Sequence, residues 1–261
     1  MKIILFIAFM LALNSCSENE NEASGIKRLI KSDHIEYLRK DELLRPALLR
    51  KFSKEYFYND TDHLVEERIV YKDATLSYFY YYDEGQLSGK HEYYNGELLT
   101  STLYEYKDHN IIKSVKRERS LSGTQKLTEK IENYYYDFQS RLVKVVYTSM
   151  NNTDRQIKMY EYISDNVIRE TTTKSSNTYT IHELEKNKKN PFENVPFYDA
   201  YLKIYPILYK VTSSKIYDIS GNELKDEIKI ENTYSDDGFL KKNVSLHNAS
   251  GHTFVTKYIY N

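Results

Sequence analysis

One thiol and the residues ahead of it carry the clearest chemistry in this sequence. Cys16 is the only cysteine among 261 residues, and it follows Lys2, eleven apolar positions from Ile3 to Leu13, then Asn14 and Ser15. A basic start, a short apolar run and a small residue at the cut form the pattern of a removable export segment. The run is too short to cross a hydrocarbon core of roughly 30 Å, which takes about 20 helical residues. An exported chain has little use for a lone thiol unless it is modified at once. Cys16 therefore reads as the site that takes up lipid after residues 1–15 are cleaved, with an ordinary cleaved signal and an incidental thiol as the alternative. Each acyl methylene that is buried adds about 0.8 kcal/mol, so several chains on one residue hold a protein stably.

Other reactive side chains form no constellation. The histidines are His34, His63, His91, His109, His182, His247 and His252, and none has metal-ligand spacing on a helix. His247 and His252 flank the turn Asn248-Ala249-Ser250-Gly251 and could face each other across a hairpin. Two ligands fall short of the three or four that a metal needs, so a solvated cross-strand pair is the simpler reading. With Cys16 spent on lipid, no thiol is left for catalysis. No Gly-x-Ser-x-Gly elbow occurs, and Ser122-Gly123 and Ser220-Gly221 fall in turns. With 38 acidic residues, carboxylate pairs arise by chance and only their separation would identify a glycosidase pair. Eight glycines are scattered singly, without a phosphate-cradling loop. No catalytic residue, metal ligand or cofactor is assigned, and ligand-binding residues stay open. A formal net charge of −1 without a basic face argues against nucleic acid as a partner.

The elements around these residues are strands and turns. Tyrosine occurs 27 times and tryptophan not at all. Many tyrosines stand just before turn-forming residues: Tyr58-Asn59-Asp60, Tyr82-Asp83-Glu84-Gly85, Tyr94-Asn95-Gly96, Tyr106-Lys107-Asp108, Tyr136-Asp137, Tyr162-Ile163-Ser164-Asp165-Asn166, Tyr217-Asp218 and Tyr234-Ser235-Asp236-Asp237-Gly238. Asn, Asp and Gly accept positive φ or cap their own backbone, as tight hairpins require. Period-two runs follow, such as Val143, Val145 and Tyr147 against Lys144, or Ile228 and Ile230 against Lys229 and Glu231. Strand after strand without a crossover helix predicts an all-β fold, an antiparallel β-meander of many hairpins in an open, rolled or half-barrel sheet. Spacing is uneven, so this is a hairpin array and not a strict solenoid. Tyrosine suits a half-buried sheet, its ring packing and its hydroxyl reaching a partner, so structure explains its abundance better than ligand stacking does.

Two segments depart from the pattern. Residues 33–45 have Asp33 as an N-cap and Pro46 as a terminator, which predicts one short N-terminal helix. Residues 185–206 hold three of the four prolines and the apolar Phe192, Val195 and Phe197, an irregular Pro-rich insertion that packs. Residues 1–15 are read as the signal peptide, 16–32 as the lipidated Cys16 with a flexible polar tether, and 33–261 as a single β-rich domain.

Leu13-Asn14-Ser15-Cys16 resembles the bacterial lipoprotein signal, which implies an N-terminal lipid on Cys16. Ser17 in place of an Asp resembles outer-membrane sorting, and the acidic run after Cys16 resembles the surface-export signals of Bacteroidota. Tyr134-Tyr135-Tyr136-Asp137 with Arg141-Leu142-Val143-Lys144, and Tyr217-Asp218 with Gly221, resemble the Tyr-Asp (YD) repeat of bacterial surface proteins. Residues 51–261 are similar to a group of Bacteroidota lipoproteins built on such repeats, a resemblance that brings no catalytic residue; Tyr106-Lys107-Asp108 departs from it by lacking the Gly. These features imply a non-enzymatic binding or scaffolding module for an envelope protein or glycan, attached to the membrane at one end. A carrier of an apolar ligand in a rolled sheet and an envelope glycan hydrolase are the alternatives. Replacing Cys16 by alanine is expected to move the protein from the membrane pellet to the soluble fraction; a variant that still sediments with membranes contradicts the anchor.

Overall fold

The computed structural model describes residues 28–38, 47–119, 127–149, 155–173, 178–185, 191–192 and 211–261. The first eight strands are β1 (Leu29–Leu38), β2 (Ala47–Tyr58), β3 (Leu64–Val70), β4 (Thr75–Asp83), β5 (Gln86–Tyr94), β6 (Glu97–Lys107), β7 (Asn110–Arg119) and β8 (Leu127–Tyr136). The rest are β9 (Leu142–Ser149), β10 (Arg155–Ser164), β11 (Val167–Thr172), β12 (Thr178–Leu184), β13 (Val211–Asp218), β14 (Leu224–Tyr234), β15 (Leu240–His247) and β16 (His252–Tyr260). Each strand pairs antiparallel with its sequence neighbours, and β1 pairs with β16, which closes the sheet into a barrel. The all-β antiparallel expectation holds. The open, rolled or half-barrel alternatives are corrected to full closure, which leaves no unpaired sheet edge.

The helix expected over residues 33–45 is also corrected. Residues 33–38 lie in β1, where Asp33 pairs with Ser53 on one side and Lys257 on the other. The Asp33 cap signal was real but local, and two ladders of hydrogen bonds outweigh a propensity worth tenths of a kcal/mol per residue. Residues 39–46 lie outside the described residues. Because β1 begins at Leu29, the tether read as residues 16–32 gives up its last four residues to the barrel.

A repeated unit explains the closure. At one rim six hairpins set a tyrosine opposite an apolar residue: Tyr58 with Leu64, Tyr82 with Leu87, Tyr106 with Ile111, Tyr136 with Leu142, Tyr162 with Ile168 and Tyr234 with Leu240, while β12 and β13 pair Leu184 with Val211. Tyr260 and Leu29 make the same pair from opposite ends of the chain. Most of these tyrosines sit beside a register shift, and such bulges favour barrel rims by adding local twist. The hydroxyl then reaches the hairpin before it. Tyr58 donates to the Leu29 carbonyl (2.7 Å), Tyr82 to Leu64 (2.6 Å), Tyr136 to Ile111 (2.7 Å), Tyr162 to Leu142 (3.1 Å) and Tyr260 to Leu240 (2.7 Å). Burial raises the Tyr106 and Tyr162 hydroxyls to about 12, so both stay protonated.

Turn chemistry supports the rim. Asn59, Asp137 and Ser235 each donate their amide to the carbonyl four residues on, and each carries a side chain that accepts a backbone amide within the turn. Glu84 and Gly85 both have positive φ, 46° and 77°, the geometry of a two-residue hairpin that glycine adopts without strain. Two of the turns grouped with these in the sequence belong to the far rim: Tyr94 pairs with Glu97 across Asn95-Gly96, and Tyr217 pairs with Leu224.

The face carrying the belt is the buried one and lines the inside of the barrel. Leu29, Leu64, Leu87, Ile111, Leu142, Ile168 and Leu240 are at most 2% exposed. Sixteen strands enclose more space than wall side chains fill, as in barrels that hold a channel. Part of that space is taken by Pro191 and Phe192, in the segment between β12 and β13 that leaves from the belt rim after Leu184. Pro191 and Phe192 are fully buried, and Phe192 packs edge-on against Tyr56 at 5.3 Å within the cluster of Leu29, Leu64, Tyr80 and Leu87. The remaining residues of the 185–206 insertion, apart from Glu185, lie outside the described residues; Glu185 accepts the Tyr234 hydroxyl at 2.5 Å where the other hairpins use a carbonyl. Phe192→Ala is expected to destabilise the barrel by about 3–5 kcal/mol in urea unfolding. A loss below about 1 kcal/mol would mean that Phe192 is not a core residue.

Candidate functional site

Beyond the tyrosine belt the inner wall changes character. Two residues before the belt stand a second row of tyrosines, Tyr56, Tyr80, Tyr104, Tyr134 and Tyr160, on the same face because strand side chains alternate. Their hydroxyls meet polar groups: Tyr56 bonds Ser32 at 3.2 Å, Tyr80 donates to Glu67 at 3.2 Å, and Tyr134 bonds both Ser114 (3.2 Å) and Glu132. One layer further, the wall is charged.

Lys54 bonds Glu67 at 2.9 Å, Lys116 and Lys130 hold Glu118 at 2.9 and 2.7 Å, and Lys158 holds Glu170 at 2.9 Å. Thr100 donates to Glu92 at 3.1 Å, and the Lys90 ammonium lies 4.7 Å from the Tyr78 ring centre. Burial, more than any other influence, pushes the Lys90 amine below its ordinary value, while Glu67 and Glu92 pull it back up. On the same wall the His182 Nδ1 bonds the Ser214 hydroxyl at 2.8 Å, and its Nε2 is 3.8 Å from Glu170, too far for a hydrogen bond. Burial, above all, lowers the His182 pKa.

A second polar group lies where the chain ends meet. His34 is held between Ser32 (2.8 Å) and Thr256 (3.0 Å) and stacks on Phe52 at 4.6 Å. Burial first, then the Lys54 charge, pushes the His34 pKa down to about 4, so the ring is neutral at pH 7. Glu36 takes Arg50 at 3.4 Å and His252 at 2.9 Å.

Of the residues singled out in the sequence, Cys16 lies outside the described residues, as does Ser122-Gly123. His247 and His252 do come together, both against Phe254 at 5.1 and 6.1 Å, but His252 is engaged by Glu36. Among the described residues no group of three or more His, Cys, Asp or Glu is placed to hold a metal. Ser220 donates to Asp218 inside its turn, a capping role. Sequence reading passed over the inner polar wall entirely. Its signal was present in the spacing Lys54-x-Tyr56-x-Tyr58 and Tyr78-x-Tyr80-x-Tyr82, where charged or aromatic residues share the face of the belt.

The outer wall is charged as well. Lys113 pairs with Glu105 at 2.6 Å, Arg117 with Glu129 at 2.9 Å, Arg169 with Glu161 at 2.9 Å and Lys215 with Glu183 at 3.3 Å. A barrel that crosses a bilayer presents an apolar band about 25 Å tall, and each central Lys or Arg on that band costs about 2–4 kcal/mol. Glu105, Glu161 and Glu183 each stand one residue from the belt rim, and between the rims the outer wall also exposes Leu103 and Met159.

The barrel overlaps the crystal structure of a porin-like protein from Bacteroides uniformis at a TM-score of 0.54 and 11% identity, covering 89% of this chain and 96% of that one. A porin-like protein from Bacteroides vulgatus overlaps at a TM-score of 0.41 and 12% identity, over 90% and 99% of the two chains. The first shows a shared fold and nothing finer. No protein-family model and no curated protein sequence matches the chain.

Because His34 and His182 titrate lower in the folded chain than unfolded, the unfolded chain binds more protons below pH 6.5. Stability is therefore full above pH 6.5 and falls as the pH drops toward about 4. Urea midpoints measured from pH 8 to 4 are expected to fall in that window, and His34→Gln to flatten the fall; an unchanged slope in the variant contradicts the assignment.

Proposed function

We propose that the chain is a lipid-anchored envelope protein whose water-facing barrel is a non-enzymatic binding module for a polar partner, a glycan or a protein segment. The observation that carries this reading is the inner wall. Paired charges buried in a protein seldom stabilise it more than apolar residues of the same volume would, so a lumen lined with Lys, Glu, Ser, Thr and His has another use. Tyrosine rings beside carboxylates, ammonium groups and hydroxyls offer stacking faces together with donors and acceptors, which suits polyhydroxylated or peptide ligands. Near-balanced charge along the wall favours neutral ligands over strongly ionic ones.

An apolar-ligand carrier fits less well, since one of the two apolar clusters at the belt rim already packs around the chain's own Phe192. The envelope setting rests on the sequence ahead of the barrel, where residues 1–16 resemble a lipoprotein signal. The porin-like fold adds shape and not transport, and the ion pairs on the outer wall support a barrel surrounded by water.

The test is capture from intact envelopes followed by direct binding. Crosslinking the acylated protein and identifying what co-purifies is expected to recover an envelope glycan or protein consistently. Binding of that partner is expected to weaken at least tenfold in Lys90→Met and in Tyr78→Ala. Recovery of no partner, or a partner whose affinity ignores both changes, contradicts a binding role for the lumen.

A further inference from the structure

We propose that the tyrosine-belt rim is the end of the barrel that sits on the membrane, with its exposed apolar side chains in the headgroup layer of a zwitterionic lipid surface. The proposal rests on the reading of Cys16 as the lipid site and adds an orientation and a contact surface to it.

The first observation is where the chain enters the barrel. Leu29 opens β1 opposite Tyr260, at the belt rim, so the segment that leads from Cys16 arrives there. Thirteen residue steps separate Cys16 from Leu29. Fully extended they reach roughly 45 Å, and as a flexible coil they average about 20 Å. A tether of that length keeps the barrel beside the bilayer without choosing which end faces it. The choice must come from the surface itself.

The second observation is what this rim exposes. On the outer side, next to the belt, stand Phe57, Tyr81, Tyr135 and Ile259, each 38–48% exposed, and Ile163 at 50%. Phe138, at the tip of the turn between β8 and β9, is 94% exposed. They form an arc from β16 through β1 to β10 that includes the strand where the tether enters; Glu105 interrupts it, and β12 and β14 carry Glu183 and Thr233 instead. Aromatic rings with a polar tip favour the water–hydrocarbon boundary. Tyr135 also has the Lys144 ammonium 5.1 Å from its ring centre, a chain long enough to keep its charge at the headgroups while its stem lies on apolar surface. The far rim exposes Tyr94 and Leu98 at one hairpin and Ile219 and Leu224 at another, but no anchor enters there.

Charge selects the lipid. Among the described residues the belt-rim turns carry Asp60, Asp83, Glu84, Asp108, Asp165 and Asp236 with Lys107 as a nearby cation, while Arg28 and Arg141 at the same rim are paired with Asp62 and Asp137. An anionic bilayer repels such a rim, whereas phosphatidylethanolamine offers ammonium groups to it. The polar lumen's far rim then points away from the membrane, toward whatever the compartment supplies.

The chain has no tryptophan, so a single introduced one reports on its own surroundings. Residues 16–261 carrying either Phe138→Trp or Leu224→Trp are coupled through Cys16 to a maleimide phospholipid. The vesicles are of phosphatidylcholine and phosphatidylethanolamine with brominated acyl chains. Emission of the Phe138→Trp protein is expected to shift to the blue and lose at least half its intensity, while the Leu224→Trp protein is unchanged. Replacing phosphatidylethanolamine by phosphatidylglycerol is expected to relieve the quenching. No quenching at position 138, equal quenching at both positions, or quenching that strengthens with phosphatidylglycerol overturns the proposal. Because the lipid is attached chemically, these outcomes do not depend on acylation in the cell, which the fate of Cys16→Ala decides separately.

Discussion

A tyrosine hydroxyl that donates to the carbonyl of the preceding hairpin is the contact on which the rest of this barrel depends. Each such bond is worth only about 0.5–1.5 kcal/mol, yet it recurs around one rim and ties every participating hairpin to its predecessor. The ring under it packs against the apolar residue that opens the next strand, so one side chain supplies both core area and register. The last tyrosine, Tyr260, and the first apolar residue, Leu29, complete the same unit from the two ends of the chain. Closure is thus the same interaction that joins Tyr58, Tyr82, Tyr136 and Tyr162 to their preceding hairpins, made once between segments 231 residues apart. The Asn261 amide donating to the Arg28 carbonyl at 3.1 Å finishes that seam.

This arrangement divides the interior. At the belt, leucine, isoleucine, tyrosine and Phe192 pack; two layers away, lysines and glutamates pair. The outer wall carries its own ion pairs, three of them beside the belt. The divided interior also gives the barrel a direction, with the packed end at the rim where Leu29 enters and the charged lumen beyond it.

Much of this was legible in the sequence. Tyr58-Asn59-Asp60, Tyr136-Asp137 and Tyr234-Ser235 announced hairpins, and the alternation in Val143-Lys144-Val145 and Ile228-Lys229-Ile230 announced strands with two unlike faces. Closure was not legible, because the pairing of Leu29 with Tyr260 is a long-range contact that no local window contains. The helix read over 33–45 failed for a related reason: Asp33 has the residue type of a cap, but its neighbours Ser32, His34 and Glu36 share an inward face that only the partner strands reveal. Tyr94 and Tyr217 look like belt tyrosines in sequence and are not, since turn chemistry does not say to which rim a turn belongs. The lumen was missed because charged residues in period two read as a solvated face; only a closed barrel turns that face inward.

Amide hydrogen exchange on the unlipidated chain in detergent-free buffer is the most direct test of a closed barrel that lives in water. Closure predicts that amides of β1 and β16 which donate to each other are protected to nearly the same degree as those of β6 and β7. Rapid exchange along β1 and β16 with protection elsewhere, or a chain that stays folded only in detergent, would contradict it.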